Sequence, residues 1–243
     1  MDRKYCRDKF VLVEDHLTNS WVSEASREID EIRKKSGQKF EFSGHSKYTE
    51  IYPKDLLKTK VMELYNSEDF VHYLNRITGL QLSTTTFTGK TNVPNCKINC
   101  YDLKSCQDGI EWHYDRYFFT RGEEIVVVIT LRNDLDDSIN LEYFPSNSIV
   151  KHRVHLGPGS MTIHDPSSVI HRVLPVCSKE PGSWRYVVLL KYSTDPRPYN
   201  GTEYWYQKAA FYVKYFTGIS YKVLANSAMH SIASFDVRRA IRN

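Results

Sequence analysis

Between residues 20 and 79 the apolar positions recur at the spacing of helices, and beyond residue 82 that rhythm stops. In "SWVSEASREIDEIRKKSG", residues 20–37, Trp21, Val22, Ala25, Ile29 and Ile32 fall on one side of a helix. Ser20 or Ser23 can cap it and Gly37 can stop it. A second helical stretch, "KDLLKTKVMELYNSEDFVHYLNRITG", should break near Asn66 and Ser67 and end at Gly79. The first third, about residues 1–80, therefore reads as mainly helical.

From residue 82 the chain becomes a series of short runs rich in β-branched and aromatic residues. These are "STTTFTG", "CKINCYDL", "EIVVVITLR", "INLEYF", "KHRVHL", "SMTIHD", "VIHRVLPV" and "WRYVVLLKY". Turn clusters at Asn92 to Asn95, Asn133 to Ser138, Gly157 to Gly159 and Pro181 to Ser183 separate several of them. Many short strands after a helical block predict a mainly β fold with flanking helices: a sandwich, barrel or double-stranded jelly roll, its β core at about 82–192. The tail, about 200–243, contains "EYWYQKAAFYVKYF" and "NSAMHSIASFDVRRAIR" and reads as helical again. With no repeat or linker to mark a boundary, residues 1–243 are expected to form one domain.

Composition narrows the class without naming it. The 243 residues are 41% hydrophobic and 26% charged, which predicts an ordered core. Thirty-three basic and 29 acidic residues, net +4, are spread along the chain, without the concentrated stripe expected of a nucleic-acid domain. A charged amino terminus and the absence of a long apolar run predict a soluble, cytoplasmic protein with no membrane association. Five cysteines without a CxxC pair argue for neither a disulfide framework nor a zinc knuckle. "NGT" at 200–202, without an export signal, reads as a chance match to a glycosylation acceptor.

The candidate chemistry lies in "EWHYDRYFF", residues 111–119, just ahead of the apolar run "EIVVVITLR". If this stretch is extended, His113 and Asp115 project to the same face and can grip one metal ion. A redox-active iron that binds both an oxidant and a cosubstrate needs few protein ligands, and two histidines with one carboxylate leave its other positions open. His171, between two β-rich runs and ahead of Pro175, is the candidate third ligand. Fourteen residues later Arg185 opens an apolar strand, where a charge buried on both sides requires an anion.

The order His113-x-Asp115, then His171, then Arg185 resembles the 2-oxoglutarate/Fe(II)-dependent dioxygenases, especially the prolyl-4-hydroxylase-like branch. "LYNSEDFVHYLNRITGLQL" is similar to the helix before the core in that branch, "INCYDL" to a strand that carries a Tyr toward the cosubstrate, and "LGPGSMTIHDPSSVIHRVLPV" to the segment leading to the distal His. The resemblance covers roughly residues 60–192. It implies a double-stranded β-helix (jelly-roll, cupin-like) core and an enzyme using Fe(II), 2-oxoglutarate and O2. His113, Asp115 and His171 would hold iron, Arg185 would pair with the distal carboxylate of 2-oxoglutarate, and Tyr101 would donate to the same carboxylate. The cosubstrate would leave as succinate and carbon dioxide while a C–H bond is oxidised. The His-to-Arg gap is longer than the family's commonest spacing because "CSKEPG" lengthens the turn; Lys191, on the same strand face, is the alternative anchor. Relatives that halogenate carry a small residue in place of the carboxylate, so Asp115 points to hydroxylation or a related oxidation.

Other residues have weaker claims. Glu111, Arg116 and His164 are candidates for substrate contact, with solvated or structural roles as the alternative, and Trp112 reads as packing. His152 and His155, three apart on a strand, face opposite ways and make a poor chelate. The expected substrate is a small molecule such as an amino acid or derived metabolite. A protein side chain or nucleic acid is the alternative substrate, and a non-catalytic metal-binding β-barrel or a zinc hydrolase the alternative class.

Overall fold

The structure, a computed structural model, describes all residues except 1, 15, 43–45, 87–93, 116–119, 136–139, 147, 176, 179, 199, 201, 203, 207–208 and 210–243. The chain divides into two compact units, residues 1–199 and 200–243. In the second, Tyr204 N–H donates to the Asn200 carbonyl at 3.3 Å. Most of the helix expected there, and all of "NSAMHSIASFDVRRAIR", lies outside the described residues.

The helices of the first unit form where their caps and spacing direct. They are α1 (Arg3–Asp8), α2 (Asn19–Ser36), α3 (Lys60–Tyr65) and α4 (Glu68–Thr78). The cap of α2 is Thr18 rather than Ser20 or Ser23: its hydroxyl accepts from the Trp21 N–H at 3.3 Å, two residues ahead of the nearer expected cap. Asn66 and Ser67 do break the second stretch, Ser67 capping α4, and Gly79 closes α4 at φ 74°, a left-handed conformation that glycine adopts at little cost.

The first third is less helical than its pattern predicts. It also holds β1 (Phe10–Val13), β2 (Gln38–Phe42) and β3 (Ser46–Ile51). Short strands like these carry little periodic signal; partners far along the chain decide their state. The remaining strands are β4 (Ser83–Thr84), β5 (Cys96–Asp102), β6 (Gly109–His113), β7 (Glu124–Asn133), β8 (Leu141–Phe144), β9 (His152–Val154), β10 (Met161–His164), β11 (Ile170–Val173) and β12 (Trp184–Ser193).

The twelve strands of the described residues join one sheet through antiparallel pairs, in the order β1-β10-β7-β12-β5-β3-β6-β11-β8-β9, with β2 on β3 and β4 on β12. Residues from distant parts of that order, Thr162 and Val128 at one end and Leu141 and Val173 at the other, line a single pocket. The sheet is therefore curled over on itself, with β3 at the bend: a double-stranded β-helix.

Alternation along the central strands serves two interiors. Ile125, Val127, Ile129 and Leu131 of β7, with Tyr186, Val188, Leu190 and Tyr192 of β12, pack with Ala25 and Ile29 of α2, Met62 and Tyr65 of α3, and Phe70 and Leu74 of α4. The intervening positions, Val128, Val187 and Leu189, face the pocket. Burial on both faces explains why "EIVVVITLR" reads as an unbroken apolar run instead of an alternating one.

One cysteine expectation is overturned. Cys106 and Cys177 form a disulfide across 71 residues, with Cα atoms 4.6 Å apart. It ties the β5–β6 connection to the lengthened loop between β11 and β12, where Ser178 N–H also donates to the Leu103 carbonyl at 3.0 Å. Spacing rules for local motifs cannot find a pair made by tertiary approach. Cys96 and Cys100 are buried and reduced, and Cys6 is exposed. Among the described residues no helix is long and apolar enough to cross a membrane.

Candidate metal centre

Register brings the two histidines together. In the β6–β11 ladder His113 lies directly opposite His171, and opposed residues of an antiparallel pair are close neighbours. Their ring centroids are 4.3 Å apart. Gly109 permits the approach at the other end of β6, where a Cβ would stand 2.8 Å from the Val173 carbonyl oxygen.

Asp115 arrives differently from its expected place on the strand. β6 ends at His113, and Asp115 sits in irregular chain two residues beyond. Lys191 Nζ donates to the Asp115 backbone carbonyl, and His164 Nε2 lies 3.0 Å from Asp115 Oδ2. The carboxylate comes within 3.5 Å of His113 Nε2 and 3.4 Å of His171 Nε2. One ligand atom from each of His113, Asp115 and His171 lies within 4.8 Å of the others, and all three residues are buried.

The protonation pattern suits a cation. His113 Nδ1 donates to the Glu111 carbonyl at 2.7 Å, and His171 Nδ1 faces the Val169 carbonyl at 3.5 Å, so the Nε2 atoms of both rings face the carboxylate. Burial pushes the His171 imidazole down to about 3, which keeps it neutral. Burial alone would raise Asp115, but the surrounding histidines hold it well below the ordinary carboxylate range. Two imidazole nitrogens and a carboxylate converging here form a donor set that suits a divalent metal ion. Adjacent ligands about 2.1 Å from one ion stand about 3 Å apart, so the group, its ligand atoms within 4.8 Å of one another, would draw together on binding one.

The same pocket holds an under-paired cation. Arg185 lies in the middle of the sheet, opposite Tyr101 on β5 and Asn133 on β7, and is 1% exposed. Among the described residues its guanidinium makes one long bond, 3.4 Å to the Asn140 carbonyl, and Nε has no hydrogen-bond partner. The Tyr101 ring lies 4.7 Å from Cζ. Burial, opposed in part by Arg185, pushes the Tyr101 hydroxyl up to about 12, so it stays a donor. Lys191 lies six residues along β12, about 20 Å at strand rise, and holds the Asp115 end of the site.

The remaining candidates separate. His164 lines the pocket through β10. Glu111 is exposed and contributes its backbone carbonyl to His113. Arg116 falls outside the described residues. Trp112 packs against Phe144 at 5.1 Å beneath Arg172, as its packing assignment predicted. His152 is exposed, stacks on Tyr143 and stands outside the three-residue ligand group. Sequence reasoning did not find Phe10, Asn99, Leu156 or Thr162, which line the pocket. Phe10 comes from a strand with no local signal, whereas Asn99 could have been found, being two residues before Tyr101 and so on the same face.

No family model and no curated protein matches the sequence. Solved structures do match. The non-heme alpha ketoglutarate dependent epimerase SnoN from nogalamycin biosynthesis superposes with a TM-score of 0.63 at 15% identity, covering 82% of this chain and 94% of that one. A Pseudomonas putida prolyl-4-hydroxylase gives 0.60 at 15% identity, covering 81% and 96%. The fold is that of the 2-oxoglutarate/Fe(II) oxygenases. A Trichoplax adhaerens prolyl hydroxylase, solved with a hypoxia inducible factor peptide fragment, gives 0.59 at 14% identity, covering 79% and 86%. SnoN has also been solved with Fe3+, alpha ketoglutarate and nogalamycin RO, a structure that matches at 0.60 and 14% identity over 78% of this chain and 80% of that one.

Proposed function

We propose that this protein is a non-haem Fe(II) and 2-oxoglutarate-dependent oxygenase that oxidises a C–H bond of a small molecule, such as an amino acid or a derived metabolite. One observation carries the reading: a buried His–Asp–His group and an under-paired buried arginine share one pocket. His113, Asp115 and His171 fit an iron site by donor chemistry, and Arg185 with Tyr101 fits the distal carboxylate of 2-oxoglutarate. Iron and cosubstrate supply the oxidising power, 2-oxoglutarate being converted by O2 to succinate and carbon dioxide.

The chain's own residues do the rest. Carbonyl bonds at Nδ1 hold the two imidazoles with Nε2 inward, and the pocket walls of Val128, Leu141, Leu156, Val187 and Leu189 exclude water. The small-molecule assignment rests on compact size and dispersed positive charge.

Anaerobic absorption on adding Fe(II) and then 2-oxoglutarate tests the reading. A weak visible charge-transfer band is expected in the wild type and absent from Asp115→Ala and His171→Ala variants that fold. No band in folded, iron-loaded wild type would refute the oxygenase assignment. Substrate-stimulated succinate release then distinguishes metabolites from peptides and nucleic acids; stimulation by nucleic acid alone, falling steeply with salt, would overturn the small-molecule choice.

A further inference from the structure

Asp115 is the one candidate metal ligand that no strand ladder holds, since β6 has ended before it. Lys191 fixes its backbone carbonyl, which leaves the carboxylate free to rotate. The contact that stops the rotation comes from His164, 2% exposed on β10 between Phe10 of β1 and Val126 of β7. Its ring lies 5.0 Å from that of His171, edge-on, and 6.2 Å from that of Phe10.

We infer that His164 is the positioning residue for the metal-binding carboxylate, its Nε2–H holding Asp115 Oδ2 so that Oδ2 faces His171 Nε2 at 3.4 Å and Oδ1 faces His113 Nε2 at 3.5 Å. An ionised carboxylate only accepts, so the 3.0 Å contact requires the His164 proton on Nε2. Nδ1 is then a buried acceptor, and among the described residues it has no hydrogen-bond partner. A phenylalanine would fill the same space without stranding a polar atom, so packing does not call for histidine here; the Asp115 contact does. His164 stands outside the three-residue ligand group.

This inference rests on the proposed metal centre, and its test keeps the two apart. Mn(II) affinity of the full chain is measured by anaerobic calorimetry, and Co(II) absorption is recorded, for wild type, His164→Phe and His164→Gln. The Phe variant should bind Mn(II) about 10–100-fold more weakly, with a shifted Co(II) spectrum, as loss of a ligand's hydrogen-bond partner typically does. The Gln variant, which can present an N–H, should recover most of the affinity and the spectrum. Urea unfolding of the metal-free variants serves as the folding control, since losing a donor to a buried carboxylate costs stability whatever the role of the histidine. Should the Phe variant not fold, His164→Met, a flexible residue without a donor, replaces it in the contrast with Gln. Equal Mn(II) affinity and identical Co(II) spectra in wild type and the donor-less variant would overturn the inference. Failure of wild type itself to bind Mn(II) would refute the metal centre instead.

Discussion

Arg185→Met separates a ligand-binding arginine from a structural one, because the two roles predict opposite signs in two measurements. In the protein without cosubstrate the guanidinium is 1% exposed, makes a single 3.4 Å bond and leaves Nε unpaired. Replacing such a charge by an apolar side chain of similar length should leave stability unchanged or raise it by about 1–3 kcal/mol. Cosubstrate binding should change the other way. Two charge-assisted bonds to a carboxylate, at about 1.5–3 kcal/mol each, sum to at least about 3 kcal/mol, or roughly a hundred-fold in affinity. Urea unfolding of the metal-free protein reads the first quantity, and anaerobic titration of the Fe(II)-loaded protein with 2-oxoglutarate the second. Arg185→Lys should fall between, keeping the charge and losing the planar fork. If Arg185→Met instead lowered stability by several kcal/mol and left the titration midpoint in place, the arginine would be a structural ion partner and the anchor assignment would be wrong.

Two further predictions concern the frame around the site. Glu142 on β8 is fully buried and held by Arg153 at 2.6 Å, Arg172 at 2.6 Å and Lys151 at 3.2 Å. Burial would raise its carboxyl, yet these cations hold it below the ordinary 4.5. The unfolded chain thus takes up this proton first, so the stabilisation present above pH 4.5 is lost as pH falls through the lower folded value. Glu142→Gln should flatten that part of an acid-unfolding profile, and an unchanged slope would count against the pairing. The Cys106–Cys177 bridge closes 71 residues, for which the chain-entropy estimate is roughly 4 kcal/mol. Cys106→Ser, or reductant, should lower the urea midpoint accordingly; coincident curves with and without reductant would show that the bridge adds nothing.

Much of the site was legible in the sequence because its parts lie on separate, recognisable runs. His113 and Asp115 sit two apart at the edge of a strand, His171 falls between two β-rich runs ahead of Pro175, and Arg185 begins a strand too apolar to expose it. Their order along the chain was enough to match a known family. The broad layout was legible for a similar reason, since α2 and α4 carry strong helical periodicity and clear stops. β1 and β3 were not, because four to six residues hold no periodicity that distinguishes a strand from its surroundings, and each is a strand only through pairing with β10 or with β5 and β6.

The amino-acid sequence by itself determined which residues could bind metal and anion, and that two faces of the central strands had to be apolar. Only the tertiary structure decided how those residues meet. Ladder register set His171 across from His113, and the curl of the sheet brought β10 to Asp115 so that His164 could reach it. Two loops met closely enough to join Cys106 to Cys177. These are long-range pairings, set by which strands close against one another; side-chain period records which face a residue occupies and carries no information about what lies opposite.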